Sequence, residues 1–351
     1  MRDVAIVSVA QSHHRRSAEE LNEVEMIQPV IRAALDGVGA SISDIDFTCS
    51  GSSDYLAGQA FSFVMTLDAV GAWPPIVESH VEMDGAWALY EAWLKIQTGA
   101  ADTAFVYSYS KASPGDLPRV MSRMLDPYYA GPLWPDSVAY AGLQARAMLD
   151  AGVTTERQMA EVAHRNRESA RTNPNAQVVG SPSVDELLAA PMLSDPLRVH
   201  DCPPISDGGV AVVLAAGDRA REWAERPAWI RGIDHRIDGH QIGARDLTTA
   251  PSVALAAQRA GVDGAFDVAE VHAPFSHQEQ LVLDGLGVGN GVEVNPSGGA
   301  LAANPMMAAG LIRLGEVATR IMDGSAGRGV AHATSGHLLQ QNLVCVLEGG
   351  D

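Results

Sequence analysis

Short apolar runs alternate along the chain with longer segments in which apolar positions return every three or four residues, the pattern of strands and helices in a layered α/β fold. The runs predict strands at Val4–Val9, Asp46–Cys49, Thr103–Tyr109 and Val210–Ala215, then at Ala228–Ile233, Val268–His272, Gly329–Thr334 and Leu343–Leu347. The longer periods predict helices at Glu23–Gly37, Ser53–Ala69, Gly85–Gln97, Ser137–Ala151 and Thr155–Thr172, and again at Ser252–Ala260, His277–Leu286 and Pro305–Met322. Two segments, Gly85–Gln97 and Pro305–Gly315, are apolar on most faces, so they belong inside the molecule. Helices buried between sheets, with further helices outside, make five layers.

The order of elements repeats. Glu23–Ser50 runs as a helix followed by SISDIDFTCSG, and Thr249–His272 runs as a helix followed by GAFDVAEVHAPFS, with Asp44 matching Asp267 and Ile45 matching Val268. Each half then offers a turn into an apolar helix (MDGAWALYEAW, NPMMAAGLIRL) and a short strand (AFVYSYS, GVAHATS). Self-similarity at so long a period predicts two βαβαβ-type halves related by a pseudo-twofold axis, residues 1–220 and 221–351. Lys111–Arg198, richer in Pro, Tyr, Met and Arg, reads as a helical and looped insertion into the first half (111–198). The chain returns from it to a strand at Asp207–Gly209.

Composition narrows the functional classes. The 351 residues are 46% hydrophobic and carry 24 basic against 43 acidic side chains, a net charge of −19, which repels a phosphate backbone or an anionic membrane. Nucleic acid is not an expected partner. No apolar run reaches the roughly 18 residues of a membrane span, and Met1–Ala10 lacks the apolar core of a secretory signal, so a cytoplasmic protein is expected. Cys49, Cys202 and Cys345 fit neither a zinc spacing nor a disulfide framework and read as buried small hydrophobes. His235 and His240 lack the context of a metal site, and no metal is expected. GLGVGNG at Gly285–Gly291 puts Asn290 where a dinucleotide turn needs its third glycine, and it reads as a loop.

Five motifs stand in one order: Glu82–Ala88, Asn173-Pro174-Asn175-Ala176, Ser206-Asp207-Gly208-Gly209, the EVHAPFS stretch around His272, and Asn295-Pro296-Ser297-Gly298-Gly299. Over its whole length the chain thereby resembles the thiolase superfamily, above all the sterol-carrier-protein-type thiolases and their lipid-transfer-protein relatives. The resemblance implies the five-layer αβαβα thiolase-like fold. A thiolase places its nucleophilic cysteine in V-N-x-x-C-x-x-G-x-x-A, ahead of a long helix and a G-x-x-D turn. Here Gly85, Ala88, Gly99 and Asp102 keep that frame, and Glu82 stands at the cysteine position. A carboxylate forms no comparable acyl-enzyme at a thioester. Asn304 before Pro305 replaces the histidine of the family's G-H-P triplet, and Ser335-Gly336-His337 replaces its last cysteine element. His272 remains as in the sterol-carrier type.

Without thiols such a scaffold keeps a cleft for an acyl-CoA and backbone donors aimed at a thioester carbonyl. The resemblance therefore implies a retro-aldol carbon–carbon lyase that shortens a steroid side chain and releases propionyl-CoA or acetyl-CoA. It implies Glu82, His272, His337 and Asn304 as catalytic groups, with Ser297, Gly298, Gly299 and Ser335 on the substrate. No tightly bound cofactor is implied, the substrate arriving as a CoA thioester. The implied partners are a small OB-fold and zinc-ribbon protein and a second thiolase-like chain, the same or a paralogue. Two other readings stay open: a non-catalytic subunit supporting a paralogue, and a Claisen-type acyltransferase. The residues have structural readings too: Glu82 as a helix-start charge, Asn304 as an N-cap, His272 as a core histidine. The lyase reading requires Glu82, His272 and His337 to converge.

Overall fold

Ten strands form one mixed sheet in a computed structural model that describes residues 2–289 and 291–350. The strands are β1 (Val4–Gln11), β2 (Phe47–Gly51), β3 (Glu78–Val81) and β4 (Thr103–Ser110), a small separate hairpin β5 (Met192–Ser194) and β6 (Leu197–Arg198), then β7 (Gly208–Ala216), β8 (Ala228–Ile237), β9 (Val268–Val271), β10 (Glu293–Val294), β11 (Arg328–Ser335) and β12 (Gln341–Gly349). The order β3-β2-β4-β7-β1 is mirrored by β10-β9-β11-β12-β8. In both halves the first three strands pair in parallel and the last two antiparallel. That repetition is the duplication expected from the sequence. The halves join where β1 meets β8, through Ala5 opposite Trp229 and Ile6 opposite Ala228.

Side-chain alternation divides the core into layers. On β4, Ala104 and Val106 face inward to the helices Gly85–Gln97 and Ala309–Met322, whereas Phe105 and Tyr107 face outward to the helices Glu23–Asp36 and Ser62–Val70. Helices Pro251–Ala260 and Ser276–Leu286 cover the outer face of the second half. Gly85–Gln97 and Ala309–Met322 are thus the central layer of five, sharing one apolar cluster with both halves of the sheet. The insertion contributes helices Leu117–Arg123, Ser137–Asp150, Glu156–Ser169 and Val184–Ala189. Cys49, Cys202 and Cys345 are buried and unpaired. Among the described residues no helix is long and apolar enough to cross a membrane.

Three expectations need correction. The single helix expected over Ser53–Ala69 is two, Asp54–Ala57 and Ser62–Val70, because Gly58 (φ 73°) and Phe61 (φ 57°) both turn left-handed between them. The second central helix begins at Ala309 rather than Pro305, since Met307 at φ 70° cannot continue a right-handed turn. The short parallel strands β3 and β10 carry too few residues to show a period, and were not foreseen. Gly285 and Leu286 close a helix rather than lying in a loop, and Asn290 lies outside the described residues.

One carboxylate organises the central layer. Asp84, 1% exposed, caps the first central helix through the Ala86 N–H (2.9 Å) and also accepts from Gly310 (2.8 Å) and Leu311 (3.0 Å) at the start of the second. Burial raises its pKa to about 6, against the pull of those three N–H groups. Gly310 fits because a Cβ there would stand 2.5 Å from Asp84 Oδ1 and 2.6 Å from Ala333 Cβ. Asp84→Ala leaves three buried donors without an acceptor, and is expected to lower the unfolding free energy by roughly 2–5 kcal/mol in urea titration. A loss below about 1 kcal/mol would show that the clamp is dispensable.

Candidate functional site

The chain leaves the sheet after β9 at His272, whose N–H donates to the His332 carbonyl (3.1 Å) and whose ring is buried. The Thr334 N–H points at His272 Nδ1 (3.4 Å), and His272 Nε2 lies 3.0 Å from Asn304 Oδ1. A nitrogen that accepts a backbone N–H carries no hydrogen, so the hydrogen of the neutral ring sits on Nε2 and is donated to Asn304. Burial, assisted by the nearby positive Arg313, drives the His272 pKa down to about 3. Arg313 is itself buried, 2.7 Å from Glu270 two residues before His272 on β9.

Asn304 is held at two further points. Its N–H donates to Ser206 Oγ (3.0 Å), and its Oδ1 is taken by His272. Its Nδ2 hydrogens bond no group among the described residues, which leaves an oriented amide donor available. The capping reading of Asn304 is corrected, because the helix starts five residues later. The one imidazole N–H of His272 is already engaged by Asn304.

Glu82 lies two residues ahead of the clamp. Its side chain is 48% exposed; Oε1 accepts the Asp54 N–H at 2.7 Å and Oε2 lies 3.5 Å from His80 Nε2. Its helix-start reading is corrected too, Asp84 being the cap. The Gly85 N–H donates to the Met307 carbonyl (2.7 Å), so the segments carrying Glu82 and Asn304 abut at the same end of the central helices.

The remaining candidates divide. Ser335 ends β11, directly after Thr334. His337 does not join Glu82 or His272. It lines a separate cavity of about 220 Å³ with Leu125, Tyr129, Tyr140, Ile242 and Arg245, its ring edge-on to Tyr140 and its Nε2 buried without a partner. Burial takes its pKa to about 4. Gly336, Leu338 and Leu339 around it are all left-handed, and Leu338 is buried against Leu125 and Tyr140. The expected three-residue convergence is therefore not observed. Ser297 is spent on structure: its N–H and hydroxyl hold Glu270 (2.8 and 2.7 Å), and Arg313 donates to its oxygen. Gly298 and Gly299 bring the chain close to Ala170, Ala302 and Asn295, where a Cβ would clash.

The sequence reading missed Asp84, His80 and the anchoring roles of Ser206 and Thr334. Asp84 was findable, as an acidic residue immediately before an apolar helix.

No family model matches the chain. It is 29% identical over 366 residues to an acetyl-CoA acetyltransferase of Methanothermobacter thermautotrophicus, covering 93% of both chains. It is 24% identical over 244 residues to a 17-hydroxy-3-oxo-4-pregnene-20-carboxyl-CoA lyase of Mycobacterium tuberculosis, covering 64% of this chain and 61% of that one. Its fold matches a solved Ltp2-ChsH2(DUF35) aldolase with a TM-score of 0.80 at 20% identity, over 99% of this chain and 97% of the other. The chain has a thiolase-like fold and resembles thiolase-superfamily proteins in sequence. On this thiolase-like fold, Glu82 and Asn304 are the residues that the sequence resemblance sets against a thiolase's thiol and imidazole.

Its buried histidines give the thiolase-type fold a pH signature. His14, His272 and His277 are lowered to about 3 and His332 and His337 to about 4, by burial first. Unfolded, each takes a proton near pH 6.5; folded, it does not, so stability falls as pH drops through 6.5 and levels off only below about 3. Asp84 and Glu270, raised by burial, act in the opposite direction but are fewer. The urea midpoint is expected to fall between pH 7 and pH 5. A constant or rising midpoint would contradict the neutral buried histidines.

Proposed function

We propose that the protein is an acyl-CoA carbon–carbon lyase that cleaves a β-hydroxyacyl-CoA by retro-aldol chemistry, the acyl group being a steroid side chain. The observation that carries this reading is the free Nδ2 of Asn304, oriented through Oδ1 by a neutral His272, beside a position where Glu82 has replaced a nucleophile. Aldol cleavage needs a base and an enolate stabiliser but no covalent attack. Glu82 takes the β-hydroxyl proton, the Cα–Cβ bond breaks to release a ketone or aldehyde, and the electron pair enters the thioester enolate. Asn304 Nδ2 donates to the enolate oxygen, and protonation at Cα gives propionyl-CoA or acetyl-CoA. His272, unprotonated at working pH, keeps Asn304 aimed. His337 stands elsewhere, so the proposal rests on Glu82 and Asn304, whose segments abut through the Gly85–Met307 backbone bond, and not on the three-residue convergence expected from the sequence. The names of the lyase and aldolase relatives support the same reaction class.

The aldolase neighbour named for two components supports a partner protein, and the family resemblance makes its proposed type an OB-fold and zinc-ribbon protein. The edge strand β3, paired only to β2, with Val77 exposed beside it, supports pairing with a second thiolase-like chain. One observation favours the alternative of a supporting subunit: His337 stands apart from Glu82 and His272.

The test is release of propionyl-CoA or acetyl-CoA from a steroid β-hydroxyacyl-CoA with the partner present. Glu82→Gln is expected to lower kcat about 100- to 10,000-fold and Asn304→Ala about 100- to 1,000-fold, with KM little changed. Wild-type rates in both folded variants would assign the chemistry to another polypeptide. Acetoacetyl-CoA is not expected to be thiolysed, and robust CoA-dependent cleavage would restore the acyltransferase reading.

A further inference from the structure

His80, on β3 two residues before Glu82, is held by more groups than a surface histidine needs. Its ring stacks on Phe63 (centroids 4.6 Å apart, planes at 15°) and its side chain is 13% exposed. Nδ1 lies 3.1 Å from the buried Ser50 hydroxyl on the neighbouring strand β2, and Nε2 faces Glu82.

A chain of hydroxyls behind Ser50 fixes which nitrogen carries the hydrogen. Thr66 donates its one hydrogen to the Phe63 carbonyl (2.9 Å), so in its contact with Tyr107 (3.1 Å) the phenol must be the donor. Tyr107 is fully buried, and burial pushes its pKa up to about 12, so it stays a phenol with that single hydrogen. Ser50 stands opposite Tyr107 in the β2–β4 pairing, and toward that phenol oxygen its hydroxyl can only donate. The Ser50 oxygen is then an acceptor, and His80 Nδ1–H is its donor. The neutral ring consequently presents a bare Nε2 to the Glu82 carboxylate. Two acceptors facing each other stay apart, and 3.5 Å exceeds the 2.7–2.9 Å usual once a proton lies between such groups.

We propose that His80 is the proton store of Glu82, a positioning residue whose Nε2 takes over the proton that Glu82 removes from the substrate and hands it back. The inference rests on the lyase reading above. The β-hydroxyl proton passes to Glu82 and on to His80 Nε2, the carbon–carbon bond breaks, and the same proton returns through Glu82 to the enolate Cα. One proton is moved and returned, so no external acid or oxidant enters the balance. The Asp54 N–H on Glu82 Oε1 (2.7 Å) keeps the other oxygen turned to His80.

The test has an arm that does not depend on activity. In full-length protein with ¹⁵N-labelled histidine, the His80 resonances, assigned by His80→Gln, should place the hydrogen of the neutral ring on Nδ1. Ser50→Ala should relax that preference, and Glu82→Gln should move the Nε2 resonance. A hydrogen found on Nε2 overturns the proposal. If the protein cleaves no β-hydroxyacyl-CoA, the lyase reading falls, and this measurement still decides whether the pair is arranged as a proton store. In the active enzyme, His80→Ala is expected to lower kcat roughly 10- to 100-fold at unchanged KM, with free imidazole restoring part of the rate. A kcat unchanged in His80→Ala, or a loss that imidazole does not repair, overturns the catalytic role.

Discussion

Asp84 accepts three backbone N–H groups from two helix starts that lie in different halves of the chain, in a place where water cannot replace it. Unmade, each bond would cost about 1–3 kcal/mol of desolvation. A Cβ at Gly310 would meet the carboxylate at 2.5 Å, so the glycine lets the second helix start close against Asp84 and ties its position to the first. That placement brings the approach to Glu82 against the turn that carries Asn304. The two sheet halves meet through only the short β1–β8 contact, so the central helices and their clamp carry much of the union between halves.

Charge and burial then sort the site into groups that can move a proton and groups that cannot. His272 sits close to the buried Arg313–Glu270 pair, and the positive neighbour adds to desolvation in keeping the ring neutral. A neutral imidazole with a backbone N–H on one nitrogen has one hydrogen to give, and Asn304 receives it. The amide thus gains direction without gaining charge, which suits a donor to an oxygen that becomes anionic only during reaction. Glu82 is half exposed, in keeping with the base role proposed for it.

Much of this was legible in the residues. The apolar runs and the helical periods located eight of the ten strands of the main sheet and the helix Gly85–Gln97 closely, and the repeated order of motifs gave the duplication that the sheet order displays. What the pattern lacked was backbone handedness. Phe61 and Met307 are ordinary apolar residues in sequence, yet each turns left-handed and ends or delays a helix. Strand β10 has two residues and β3 reads ESHV, so neither offers an apolar run, and His80 was given no role. Chemistry at single positions, such as Glu82 for cysteine or Asn304 for histidine, was visible. Partnership was not: Ser297 looks like a substrate contact until Glu270 is seen holding it.

The tip of the β11–β12 hairpin is wound against the chirality of its own residues. Leu338 and Leu339 hold φ values of 58° and 56°, each at a cost on the order of 1–2 kcal/mol, and they tolerate this because one is buried under Leu125 and Tyr140 and the other in the outer core of the second half. The insertion that supplies Leu125 and Tyr140 is therefore a latch on a coiled spring. Thr334, whose N–H fixes the His272 ring, stands four residues before the first of those leucines. The packing of the insertion on the hairpin tip therefore bears on the same short backbone that aims the His272 ring.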